Sequence, residues 1–292
     1  SHFRPRSVPG DHGNLIAFHS WWIGASLPTR GRRRLPAAPR LATGVFRRHP
    51  PSMRILLAGC GYLGLALGAR LATEGHHVTG LRRSPDADSV LRKAGIEPWI
   101  ADFTQAASLA SRAPDWDWVV HCGAPDAGDP DAYRATYLEG SRQLLAWLRP
   151  RPPSAYVFTG STAVYAQTDG SWVTEDSPTT PESATARILL ESEGVLRQAA
   201  TEGFPARILR ISGIYGPGRN RVEMLRRGAP WPSGDPQRWL NMVHRDDLVE
   251  AILLVAARGI PGSLYNVSDL TPVRAEAFEA WLAERLAPQF LP

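Results

Sequence analysis

From residue 54 onward the chain alternates short apolar runs with longer stretches in which apolar residues recur every three or four positions. The short runs predict strands over 54–58, 77–81, 97–101, 118–122, 155–160 and 206–211. The longer stretches predict helices over 63–74, 87–94, 131–148 and 183–201. After 211 the pattern loosens into loops, two shorter helices near 246–258 and 275–286, and one apolar strand over 263–267. Strands joined by helical crossovers require a parallel sheet covered on both faces, with ligands outside the carboxyl ends of its strands. The expected fold is therefore α/β, a doubly wound parallel sheet over 53–211 with a small C-terminal lobe over 212–292 that is integral with it.

Residues 1–52 show neither period, so no core-facing element can be read there. This segment is expected to be a disordered or non-native extension, with Met53 as the candidate true start. Its apolar patch from Leu15 to Leu27 and its arginines only faintly resemble a signal or transit peptide, and no small-residue cleavage site follows.

Charge sharpens the division. The 292 residues carry a formal +5, but 1–52 hold nine arginines against the single acid Asp11, so the remainder is slightly acidic. No nucleic-acid partner is expected of such a body. No apolar run approaches the roughly 18–20 residues that span a bilayer, so no membrane partner is expected either. Two cysteines, Cys60 and Cys122, are too few for a disulfide scaffold and point to a reducing, cytoplasmic setting. Lys93 is the only lysine of the chain. No metal site is expected.

The candidate chemistry begins at Gly59-Cys60-Gly61-Tyr62-Leu63-Gly64, which follows the first strand and opens the first helix. Gly59 permits the tight turn, Gly61 lets a pyrophosphate approach the helix amides, and Gly64 allows close helix–strand packing. In this context the motif marks a Rossmann-type dinucleotide site. Where an acid would meet a ribose 2′-hydroxyl at the end of the second strand, the chain has Arg82 and Arg83. Two guanidiniums suit a 2′-phosphate, so NADP is preferred over NAD; a solvated loop pair is the alternative. Asp102, after the third strand, either bonds the adenine amino group or caps its own loop.

Eight collinear segments resemble the extended short-chain dehydrogenase/reductase superfamily, specifically its NAD-dependent epimerase/dehydratase-like group, over about 53–275. They are GCGYLG from Gly59, Ala101-Asp102, VVHCGAP from Val119, YLEGSRQLL from Tyr137, VFTGSTAVYA from Val157, LRISGIYGPGR from Leu209, NMVHRDDLVEAI from Asn241 and LYNVSD from Leu264. The resemblance implies an NAD(P)-dependent oxidoreductase with a C-terminal substrate-side lobe. Its substrate would be a small molecule bearing a hydroxyl or carbonyl, sugar-linked compounds included; a homodimer is compatible with it. It assigns carbonyl polarisation to Ser161, with Tyr165 as the tyrosine of the Val-Tyr pair.

The family's catalytic tyrosine and lysine fall at Ser183 and Arg187, so the usual dyad is missing. The chain is similar to an atypical subgroup sharing this Ser-x-x-x-Arg replacement. Arg187 can still hold a ribose, whereas Ser183 cannot ionise near neutral pH as a lysine-paired phenol does. A non-catalytic NADP(H)-sensing or scaffold protein is the competing expectation. His121 and His244 are read as structural, Asp246 and Asp247 as caps of the following helix, and Pro217 as the shaper of a turn lining the pocket.

Overall fold

The computed structural model describes residues 52–286 and the two-residue strand Ile16–Ala17; the remaining expectations for 1–52 lie outside the described residues. Seven parallel strands form the central sheet: β1 (Arg54–Ala58), β2 (His77–Arg82), β3 (Glu97–Ile100), β4 (Trp118–His121), β5 (Ala155–Ser161), β6 (Ala206–Ile211) and β7 (Leu264–Ser268). Their order is 3-2-1-4-5-6-7, and Ile16–Ala17 pairs in parallel with the outer edge of β7. Order reverses between β1 and β4, which opens a crevice at their carboxyl ends.

Side chains alternate sides along each strand, so the inner strands feed two cores, while the edge strand β3 leaves Glu97 and Ile100 exposed. Ile55, Leu57, Val120, Val157 and Leu209 enter one core, where Leu63, Leu67 and Leu71 of α1 (Tyr62–Thr73) meet Leu248, Ile252 and Val255 of α5 (Arg245–Arg258). Leu56, Val119, Tyr156, Phe158 and Ile208 enter the other. There they meet Leu144 and Leu148 of α3 (Gly140–Leu148) and Leu196 of α4 (Ala184–Thr201). Helix α2 (Asp88–Lys93) adds Leu91 to the first core.

The predicted helix over 131–148 is not uniform. It runs as Pro130–Tyr133, then a π-helical turn Arg134–Glu139, then α3. A Cβ on Gly140 would lie 2.5 Å from the Phe103 ring, so the helix is pressed against that ring. Thr136 and Leu138 of the wider turn just before it are both buried.

Beyond 211 the chain divides its residues. Helix α5 and β7 return to the central sheet, while the lobe is built from short pieces that the periodicity does not reveal. Gly213–Tyr215 pairs in parallel with Met242–His244, and Trp239–Leu240 pairs antiparallel with Val273–Arg274. Helix Arg221–Arg226 and α6 (Ala275–Arg285) close a satellite core around Leu225, Leu282 and Leu286.

Candidate functional site

The glycine loop stands at the crevice between β1 and β4. Gly59 has φ +90°, and a Cβ there would sit 2.1 Å from the Gly123 Cα, so only glycine fits. Around Gly61 the situation is reversed: a Cβ would meet nothing within 4 Å, and no side chain caps α1. The first amides of α1 thus have no side-chain cap and the space beside Gly61 is open, which is the arrangement an anionic group on a helix N-terminus needs. Gly64 lies between two sulfurs, its notional Cβ 3.1 Å from Cys122 Sγ and 3.5 Å from Cys60 Sγ. Leu63 is buried in the core, so only its backbone can contribute to the crevice.

Arg82 and Arg83 come to the same mouth from the end of β2. Arg82 Nη1 donates to the Cys60 carbonyl at 3.2 Å, which ties it to the glycine loop, whereas Arg83 pairs with Asp126 from the loop after β4. The Asp102 Oδ1 accepts from the Thr104 amide at 2.9 Å and the Thr104 hydroxyl at 2.7 Å, a local turn cap.

Ser161 ends β5, and its Oγ accepts the Ala163 amide at 3.2 Å, starting the turn Thr162–Val164 that packs on α4. Ser183 and Arg187 are both exposed and locally engaged. Ser183 is the N-cap of α4, accepting from the Ala186 amide at 3.2 Å. Arg187 folds back along the preceding segment, donating to the Pro181 carbonyl at 3.2 Å and the Glu182 carbonyl at 2.7 Å.

His121 is fully buried, its Nδ1 3.2 Å from the Tyr156 hydroxyl and 3.4 Å from the Ser141 hydroxyl. Burial pushes its pKa down to about 3, with the Thr136 backbone opposing weakly. The folded state therefore keeps this ring neutral while the unfolded chain takes up a proton near pH 6.5. Between about pH 6.5 and 3 the unfolded state binds more protons, so stability falls on acidification by up to about 1.4 kcal/mol per pH unit from this residue. A His121→Gln variant is expected to flatten the loss of unfolding free energy between pH 6.5 and 4.5; an unchanged slope in urea titrations would remove His121 as its source.

Two assemblies escaped the sequence reading. The first is a buried chain of polar groups: Glu193 of α4 pairs with Arg210 of β6 at 2.7 Å, and Arg210 donates to the Tyr165 hydroxyl at 2.8 Å. That hydroxyl lies 2.8 Å from Asn266 Oδ1 in β7, so the tyrosine after Ser161 is anchored to two strands and a helix. The second surrounds Tyr62, whose ring carries Arg219 at 5.6 Å and Arg245 at 5.3 Å from its centroid. Neither has a sequence signature, because the partners come from distant segments. A correction also applies to α5: the His244 imidazole, not Asp246 or Asp247, caps it by accepting the Asp246 amide at 3.2 Å. Among the described residues no group of three or more His, Cys, Asp or Glu side chains could hold a metal ion, and no helix is long and apolar enough to cross a membrane.

Comparison with known proteins bears on this geometry. The model of the NAD dependent epimerase/dehydratase family matches residues 55–268. Protein YeeZ of Escherichia coli K12 is 28% identical over 247 residues, 81% of this chain and 86% of that protein. A UDP-glucose 4-epimerase of Corynebacterium glutamicum is 25% identical, over 69% of this chain and 70% of its own. A solved structure from Methylobacillus flagellatus, provisionally assigned as an NAD-dependent epimerase/dehydratase, is 35% identical with a TM-score of 0.65, covering 82% of this chain and 83% of that one.

Proposed function

Because the chain belongs to the NAD dependent epimerase/dehydratase family of oxidoreductases, we propose that it binds NADP in preference to NAD and acts on a small hydroxyl- or carbonyl-bearing substrate. The reading includes sugar-linked substrates, for which the UDP-glucose 4-epimerase of C. glutamicum is the relevant relative. It assigns the protein to the cytoplasm, and a homodimer is compatible with it. The observation that carries it is the uncapped start of α1, with open space beside Gly61, where strand order reverses.

The residues present fit such a dinucleotide. The amides of Tyr62, Leu63 and Gly64 would hold its diphosphate and Arg82 with Arg83 its 2′-phosphate, while the second carboxyl oxygen of Asp102 would meet the adenine amino group. When bound, the nicotinamide supplies hydride acceptance or donation. Ser161 would turn its hydroxyl proton to the substrate oxygen and polarise that group as charge develops on it. Arg187 would hold the ribose only by leaving the Pro181 and Glu182 carbonyls, and Ser183 only by leaving its cap. Those engagements favour the second reading, a dinucleotide-binding protein without turnover.

Oxidation of NADPH against a panel of carbonyl compounds separates the two. The enzyme reading expects turnover that falls about tenfold or more in Ser161→Ala, the worth of roughly one hydrogen bond in the transition state, with the NADP⁺ dissociation constant unchanged. Tight NADP⁺ binding with no turnover on any compound would establish the second reading instead.

A further inference from the structure

We propose that Arg219 is a phosphate-binding residue of the dinucleotide site, its guanidinium held over Tyr62 so that it meets the diphosphate opposite the first amides of α1. The inference rests on the dinucleotide reading above and adds a residue from the C-terminal lobe to it.

Tyr62 is the first residue of α1, so whatever is stacked on its ring stands beside the anion-binding end of that helix. The loop carrying Arg219 is pressed onto Tyr62: a Cβ on Gly216 would lie 2.9 Å from the Tyr62 hydroxyl oxygen. That loop is closed by two reciprocal backbone bonds, Gly216 N to Arg219 O at 3.2 Å and Arg219 N to Gly216 O at 3.0 Å. The turn fixes where the Arg219 side chain starts, and the ring at 5.6 Å supports where it ends.

Charge distinguishes the two arginines on this ring. Arg245 is committed to Asp246, with Nε and Nη2 each 2.9 Å from Oδ1. Arg219 is exposed and makes no ion pair among the described residues. The cluster therefore carries one uncompensated positive charge, on a ring that begins the helix whose first amides have no side-chain cap. The Tyr62 hydroxyl is buried beneath the Gly216 turn, and the face of the Tyr62 ring serves as the platform for the guanidinium. An organic diphosphate satisfies both the amides and the guanidinium, and its position at α1 identifies it as that of the dinucleotide.

Calorimetric titration of the full chain with NADP⁺, NAD⁺, ADP-ribose, AMP and UDP tests this. Arg219→Ala should weaken NADP⁺, NAD⁺ and ADP-ribose by a common factor of about ten to a hundred, the range for one lost charged hydrogen bond. AMP, which has no diphosphate, should be unaffected, and Arg219→Lys should recover part of the loss. Tyr62→Leu should resemble Arg219→Ala; melting temperatures within a few degrees show that each variant folds. An Arg219→Ala protein that binds ADP-ribose as wild type does overturns the proposal and leaves the dinucleotide reading standing. Loss of UDP binding alone also overturns it, by assigning Arg219 to a substrate-side diphosphate. Failure of the wild type to bind any dinucleotide overturns both.

Discussion

An Arg210→Met variant is expected to lose about 3–5 kcal/mol of folding stability, because the substitution strands a buried carboxylate. The Arg210 and Glu193 side chains are 3% and 2% exposed, and three short contacts join them. The methionine fills the volume but offers no donor to Glu193 or to the Tyr165 hydroxyl. Removing both charges, as Arg210→Met with Glu193→Leu, should recover most of the loss, since a fully desolvated pair contributes little over an apolar substitute. Urea unfolding gives the comparison through a shift in midpoint at constant slope. A single variant within about 1 kcal/mol of wild type would show that the pair is not desolvated as the structure has it. The expected damage reaches the site as well, because Tyr165 holds the turn that Ser161 begins.

The second large effect is on cofactor choice. Replacing Arg82 and Arg83 together by alanine should weaken NADP⁺ by about 1.5–3 kcal/mol for each charged hydrogen bond lost, and leave NAD⁺ nearly unchanged. Arg82 should account for the larger share. Its guanidinium is already tied to the glycine loop through the Cys60 carbonyl, while Arg83 is half exposed and must be taken from Asp126 before it can serve a phosphate. Equal weakening of the two dinucleotides in parallel titrations would reject the 2′-phosphate assignment and return both arginines to a solvated loop.

The alternation of apolar runs was enough to read the seven main strands, because the inner ones are covered on both sides and must be apolar on both; the pair Ile16–Ala17 at the outer edge carried no such pattern. The glycine loop was legible for a similar reason: its spacing answers to one local geometry. The π turn was not, since Arg134 to Glu139 keep an ordinary helical composition, and the close fit of the following Gly140 against Phe103 involves another segment. His244 escaped as a cap because aspartates follow it and aspartate is the commoner capping residue. The expectation for Ser183 and Arg187 came from register alone. The structure adds what register cannot see, that both side chains already have partners in the backbone of their own segment. The ring of Tyr62 and the chain from Glu193 to Asn266 are tertiary features, assembled from residues with nothing in common along the sequence.

The two sulfurs beside Gly64 give the crevice a chemical durability that its backbone alone would lack. Cys60 sits within the glycine loop itself, yet burial leaves it 1% exposed and pushes its pKa up to about 12, and Cys122 is driven in the same direction. A thiol attacks oxidants and alkylating agents as the thiolate, and neither sulfur has one to offer while the seam between β1, α1 and β4 is closed. Both sulfurs thus pack as small apolar atoms, and an electrophile can reach them only in the rare molecules whose seam has come apart. Damage to the glycine loop through these thiols is in this way restricted to protein whose seam has already opened, and the intact form is left untouched.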